Sequence, residues 1–315
     1  MRKHNKLFAS VALAIGCTMS LSAHAAGKEL KSIGITVGSL GNPYFVTIAK
    51  GAEAKAKQIN PNVKVVSTSS DYDMNKQFTQ IDNFISAHAD MILLNAVDPK
   101  AIEPAVKKAQ KAGIVVVAVD VAAAGADATV QTNNVQAGEI SCEFLAKKLN
   151  GKGNVVIENG PQVSAVIDRV NGCKSVLAKN PGIKVLSDDQ DAKGSREGGM
   201  NAMQGYLTRF PKLDGVFAIN DPQAIGTDLA AKQLHRNNIV ITSVDGAPDI
   251  ESALKTDTMV QASASQDPWS MAQQAVAVGY DLMNGKKPAN PTILLPSTLV
   301  TRGNVGSYKG WSSPR

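Results

Sequence analysis

The sequence predicts an α/β protein built as two similar lobes, each a parallel sheet covered by helices. Three observations carry this reading. Strand and helix signals alternate along nearly the whole chain, the pattern of successive βα units. Several strand signals are continuous apolar runs, as in Met91–Leu94 and 114–119, which suits strands buried on both faces. The chain has 315 residues, and at about 100–200 residues per domain that length suits two cores better than one. A hydrophobic content of 43% with 19% charged residues excludes the collagen-like and disordered classes.

In chain order, residues 1–25 read as a secretory leader. Arg2, Lys3 and Lys6 give a basic start, 7–15 is an apolar run, and Ala23-His24-Ala25 is a small-x-small pattern before a cut at Ala26. The run is well short of the ~20 residues that span a bilayer. A lipoprotein reading of Cys17 lacks the Leu-like residue three positions earlier, where Ala14 stands. The sequence therefore expects an exported, soluble mature chain. Without the three leader bases, 30 basic side chains face 27 acidic ones. That excess is too small and too dispersed for a nucleic-acid footprint.

The first lobe opens on Ile33, Ile35 and Val37, which alternate as a strand does. Asn42-Pro43 then supplies a helix cap and a first-turn proline. Phe45, Ile48, Ala49, Ala52 and Ala56 follow at helical spacing. A strand at 63–66, a helix capped by Asp73, the strand Met91–Leu94, a helix at 101–112 and the strand 114–119 complete this half. The second half repeats the pattern: helix 136–149, strand 155–157, helix 165–179, strand 183–187, helix 196–209, strand 215–219, helix 222–235 and strand 239–244. A last helix, 268–284, and short extended pieces are too few for a third domain. They are expected to return to the two lobes, making the hinge multi-stranded. Cys142 and Cys173 fall on helices of the second lobe, where export permits a disulfide and burial permits two inert thiols.

Open parallel sheets take ligands beyond the carboxyl ends of their strands. At those ends stand Asn42, Tyr44 and Phe45, then Asn95, Asp120, the Asp168-Arg169 pair, Asn220, Asp245 and Gln266. Amides and carboxylates hydrogen-bond vicinal hydroxyls, Arg offers a planar fork, and a ring covers C–H groups. This set suits a neutral polyhydroxylated molecule better than a phosphate, which prefers glycine-rich loops and more cations. Each residue also has a plainer role open to it: Asn42 as a cap, Asp120 and Asp245 in caps or turns, Arg169 in a surface ion pair, the rings in the core. Recurrence at successive strand ends is what points to a site.

The chain resembles the ribose-binding-protein type (type I) of periplasmic solute-binding protein of sugar ABC transporters. The likeness runs through NPYF at 42–45, ILLNAVD at 92–98, VVVAVD at 115–120, IDR…G at 167–172, FAINDPQAIG at 217–226, SVDGAPD at 243–249 and ASASQDP at 262–268. The resemblance implies ligand-binding roles for Asn42, Tyr44, Phe45, Asn95, Asp120, Arg169, Asn220, Asp245 and Gln266. It implies two lobes joined by crossovers near 132, 266 and 292: 26–132 with 267–292, and 133–266 with 293–315. It implies a periplasmic monomer that closes on a sugar, polyol or cyclitol and docks on an ABC permease, a chemoreceptor or a sensor kinase. Two departures stand out. Val121 occupies the place of the family's Arg, and Lys193-Gly194-Ser195-Arg196 lacks its aromatic residue. The ligand is therefore expected to differ from ribose bound in the usual way. Trp269 offers a ring for the vacated space, or packs at the hinge.

No enzyme signature accompanies this pattern. Of four histidines, His4 and His24 lie in the leader, leaving His88 and His235. HExxH, CxxC, GxSxG, a Walker loop and a dinucleotide fingerprint are all missing from the sequence. The residues call for no cofactor and no metal, and Asp120 with Asp245 can bind hydroxyls without acting as an acid–base pair. A LacI-type repressor would need a helix-turn-helix head where the leader stands.

Overall fold

The computed structural model describes residues 27–311, so the expected leader, 1–25, lies outside the described residues. Lobe one runs β1 (Ser32–Val37), α1 (Pro43–Ile59), β2 (Lys64–Ser69), α2 (Met74–Ser86), β3 (Met91–Leu94), α3 (Glu103–Lys111), β4 (Val115–Val119) and β5 (Ala128–Thr132). Lobe two follows as α4 (Asn134–Lys148), β6 (Lys152–Glu158), α5 (Ser164–Leu177), β7 (Gly182–Ser187), α6 (Arg196–Arg209), β8 (Gly215–Ala218), α7 (Asp221–Gln233), β9 (Val240–Asp245), α8 (Pro248–Lys255) and β10 (Val260–Ser265). The chain then returns α9 (Pro268–Met283) and β11 (Thr292–Leu295) to lobe one and β12 (Leu299–Thr301) to lobe two.

The two sheets share one topology. Their orders are β2-β1-β3-β4-β5-β11 and β7-β6-β8-β9-β10-β12, and every pairing is parallel except β12 on β10. The order reverses beside β1 and beside β6, which opens a crevice at the carboxyl edge of each sheet. Helices that leave those edges are capped by Asn42, Asp73, Asn133, Ser195, Asn220 and Asp267, each accepting from a first-turn N–H. The polar residues that start the helices therefore gather on the rim where the lobes meet.

Two elements escape the sequence pattern. Strand β5 (ATVQT) is short and half polar, and α8 spans only eight residues, so neither leaves a strong periodic signal. The third crossing falls at 296–298 and not near 292, because Thr292–Leu295 pairs with β5 and belongs to the first sheet. The crossings are tied together: Thr132 Oγ1 donates to Gln266 Oε1 at 2.7 Å, and Ser297 Oγ donates to the Ser265 carbonyl at 2.8 Å.

The lobes are in contact. One apolar cluster runs from α2 and α3 of lobe one into α4 and α5 of lobe two, through Val121, Ala123, Val163, Ala165 and Val166. At the same place the Ala122 N–H donates to Ser164 Oγ at 2.7 Å. Separate clusters fill the other faces, under α1 and α9 in lobe one and under α6 to α8 in lobe two.

Glu158, at the end of β6, is fully buried. Its oxygens lie 2.7 and 2.8 Å from Thr227 Oγ1, and among the described residues no cation pairs with it. Burial pushes its carboxyl up to about 8, against the opposing hydrogen bonds of Thr227 and Gln223. The folded protein therefore binds more protons than the unfolded chain between the ordinary glutamate value and about 8. The associated stabilisation is complete below about pH 4.5 and is lost as the pH rises through that interval, at up to ~1.4 kcal/mol per unit. Glu158→Gln keeps the shape without the charge. Its melting temperature should exceed that of the parent protein at pH 8 and match it near pH 5, and a parallel pair of pH profiles would contradict this account.

Candidate functional site

Of the residues placed at the strand ends, Asn42, Tyr44, Phe45, Asn95, Asp120, Arg169, Asn220, Asp245 and Gln266 line one cavity between the lobes, and Asp168 does not. Counting the part open to solvent, about 460 Å³ of space outside protein atoms lies within it.

Lobe one supplies the first shelf. Asn42 both lines the cavity and caps α1, its Oδ1 accepting from the Tyr44 N–H at 3.0 Å, so the plain and the functional reading hold together. The Tyr44 hydroxyl donates to Asp120 Oδ1 at 2.7 Å and lies 3.1 Å from Gln266 Oε1. Phe45 sets its ring edge-on to Tyr44, with centroids 5.4 Å apart. Asn95 is oriented by the Gly38 N–H on its Oδ1, and its Nδ2 donates to Asp120 Oδ2 at 2.8 Å. Asp120 is thus held by donors on both oxygens.

Lobe two and the hinge supply the second shelf. Arg169 is 5% exposed, so it is a cavity residue and not half of a surface ion pair. Its Nε donates to Asn134 Oδ1 and its Nη1 to the Ile219 carbonyl, both at 2.9 Å. Nη1 also stands 3.6 Å from Asp245 Oδ1. Among the described residues Nη2 has no hydrogen-bond partner. Gln266 Nε2 donates to Asp245 Oδ1 at 2.7 Å. Asn220 caps α7 through Oδ1, and its Nδ2 donates to the Gly194 carbonyl at 3.0 Å. Asp221 accepts from Ser243, Ser263 and the Ala247 N–H, which fixes the loop that carries Asp245.

The two aspartates occupy matching places, at the ends of the fourth strand of each lobe. Both have positive φ, 70° at Asp120 and 140° at Asp245, a conformation uncommon for non-glycine residues. Burial raises the carboxyl of Asp120 above its usual range, opposed by the Arg169 charge and by the donors Tyr44 and Asn95. Burial lifts Asp245 to about 6, with Arg169 and Gln266 pulling it down and Asp120 pushing it up. Tyr44 is raised well above the ordinary phenol value, first by burial and then by Asp120, so it stays a hydroxyl donor.

Sequence reasoning missed several lining groups. Tyr72 enters from the polar cluster SSDYD at the end of β2, a strand end to which the sequence assigns no site residue. Val121, Pro161, Val163, Ala165, Val166 and Ile219 form an apolar wall that no polar motif announces. Trp311, from the C-terminal tail, is not itself a lining residue but backs two that are: its ring lies 5.4 Å from Tyr44, and its Nε1 donates to the Gln266 carbonyl at 3.0 Å. Trp269 is not among the lining residues, since it sits in the first turn of α9, whose backbone packs against Gly51 of α1. Gly194 and Val121 do line the cavity, so both departures from the ribose-type pattern fall on its walls. The sulfurs of Cys142 and Cys173 are bonded, linking α4 to α5 away from the cavity. Among the described residues no group of three or more acidic, histidine or cysteine side chains is placed to hold a metal, and no helix is long and apolar enough to cross a membrane.

Residues 33–287 match the family described as periplasmic binding protein domain. The chain is 31% identical to the ribose import binding protein of Bacillus subtilis over 283 residues, covering 89% of this chain and 90% of that protein. It is 33% identical to a xylitol-binding protein of Mycolicibacterium smegmatis over 287 residues, covering 89% and 80%. Its structure is similar to that of an ABC-transporter solute-binding protein from Bacillus halodurans with bound myo-inositol, with a TM-score of 0.82 at 26% identity and coverage of 90% and 99%. With the family spanning most of the chain and its topology repeated in both lobes, the chain belongs to the periplasmic binding protein family, as a solute-binding protein of the sugar ABC-transporter type.

Proposed function

We propose that the protein captures one small neutral polyhydroxylated molecule, a pentose, another monosaccharide, a polyol or a cyclitol, between its lobes and hands it to an ABC permease. The observation that carries this is the pairing of Asp120 from one lobe with Arg169 and Asp245 from the other around a single cavity. The carboxylates accept from vicinal hydroxyls, the free guanidinium nitrogen donates to a ring or hydroxyl oxygen, and the apolar wall covers a C–H face. An anion would meet two carboxylates, and the one cation is already partly neutralised by Asp245. Ribose, xylitol and myo-inositol, the ligands named for the relatives, are the first candidates. Val121 and Gly194 favour a guest that needs fewer hydrogen bonds on their side of the cavity.

Capture follows from closure. A guest that bridges both shelves stabilises the closed arrangement, and the closed shape is what the permease reads. Micromolar affinity corresponds to about −8 kcal/mol, which several aligned polar contacts can supply after ordering costs. The leader at 1–25 would deliver the protein to the periplasm, where it acts as a monomer without cofactor.

A thermal-shift panel of pentoses, hexoses, polyols and cyclitols should yield a hit, since a ligand that binds only the folded state raises its melting temperature. Asp120→Ala and Arg169→Ala should each weaken that hit by roughly 100-fold, because each leaves a buried charged partner unmatched. Unchanged affinity in either variant would overturn the site. In Trp269→Phe protein the remaining tryptophan, Trp311, touches Tyr44 and Gln266. Its emission should shift on titration with the hit and stay flat with a non-binding sugar.

A further inference from the structure

Arg169 is held from behind by a helix pair whose far end is covalently linked. Helices α4 and α5 pack side by side, and their contact has three tiers. At the cavity end, Arg169 Nε donates to Oδ1 of Asn134, the first residue of α4. Asn134 is itself anchored to the first crossing, since its Nδ2 donates to the Thr132 carbonyl at 3.0 Å. In the middle, two glycines bring the backbones together. A Cβ on Gly138 would stand 2.1 Å from the Arg169 carbonyl oxygen, and one on Gly172 would stand 2.2 Å from that of Val135. At the far end, Cys142 and Cys173 are bonded with Cα atoms 5.1 Å apart, and both are fully buried.

The spacing aligns these tiers. Cys173 lies one helical turn beyond Arg169 on α5, and Cys142 lies two turns beyond Asn134 on α4, with Gly138 between. Glycine-to-backbone contact has no interlocking side chain to resist sliding of one helix along the other. Such sliding would separate Asn134 Oδ1 from Arg169 Nε, which now meet at 2.9 Å. The apolar side chains packed around the seam resist such sliding, and the covalent link limits it further.

We propose that the Cys142–Cys173 disulfide is a positioning element for ligand binding: it fixes the register of α5 on α4 and thereby the guanidinium of Arg169. This rests on the functional reading above for its consequence, though not for its geometry. A disulfide that merely constrained the unfolded chain would raise stability and leave the folded site unchanged.

The test uses the full mature chain, comparing the parent with Cys142→Ala/Cys173→Ala and with the bulkier Cys142→Val/Cys173→Ala, which refills volume without the bond. Hydrogen exchange of the Arg169 Nε–H, followed by NMR without ligand, should accelerate at least tenfold in whichever variants fold. Affinity for myo-inositol, xylitol or D-ribose should fall at least fivefold. Asn134→Ala with the disulfide intact should produce a similar loss, and adding the cysteine substitutions to it should cost little more, as expected for residues acting in one chain. Unchanged exchange alongside a lower melting temperature would overturn the proposal, as would full additivity with Asn134→Ala. If none of the three probes binds the parent protein, the affinity arm uses the hit of the thermal-shift panel; if that whole panel is silent the functional reading fails, and the exchange measurement alone decides whether the disulfide positions Arg169.

Discussion

The structure depends on how two buried carboxylates are satisfied. Asp120 and Asp245 are both nearly inaccessible, and an isolated buried carboxylate would cost more than a fold of this size can spare. Each is held by its own lobe and by the junction between lobes. Tyr44 and Asn95 donate to Asp120, while Gln266 donates to Asp245 and lies beside Tyr44. Gln266 is also the residue at which the chain passes back from the second sheet. The hinge and the polar network are therefore one object. Any change in the angle between the lobes would therefore alter the surroundings of these two groups.

The repeated topology explains why the carboxylates face one another. Each lobe carries its aspartate after the fourth strand in chain order, and in each sheet that strand lies two places from the order reversal. Setting two such lobes edge to edge brings their carboxyl rims together. Positive φ at both aspartates turns the backbone at the strand end, a conformation that side chains of this kind adopt only at some cost. Asp221, buried and held by three donors, keeps the second of these turns in place. Its carboxyl is driven far above the ordinary range, first by burial and then by the neighbouring Asp245 charge.

Arg169 differs from the other lining residues in drawing its support from several directions. Its fork reaches a carbonyl of lobe two, an amide at the start of α4 and the edge of a carboxylate. Buried guanidinium groups persist only when their donors are matched. Here the matching leaves one nitrogen over, and Val163 and Val166 from the start of the same helix line the cavity together with Val121 of lobe one. The cavity thus combines hydrogen-bonding groups with apolar side chains in one lining.

The sequence by itself determined the order and type of most elements, because apolar runs of strand length and helix-starting caps are local signals. It also determined the polar set at the strand ends, since parallel sheets send their ligand contacts to a place that chain order reveals. Asn42 and Asn220 were legible for two reasons at once, as caps and as lining residues. What the tertiary structure decided was everything set by distance across the chain. Strand β5 is recognisable only by its neighbours β4 and β11, and the third crossing moved because Thr292–Leu295 found an open sheet edge. Tyr72 joined the cavity lining, Trp311 came to pack behind Tyr44, and Trp269 did neither, although nothing in their local sequence separates them. The bond between Cys142 and Cys173 required two glycines to bring their helices together. Local spacing fixes which way a side chain leaves its own helix or strand, and only packing fixes what it meets.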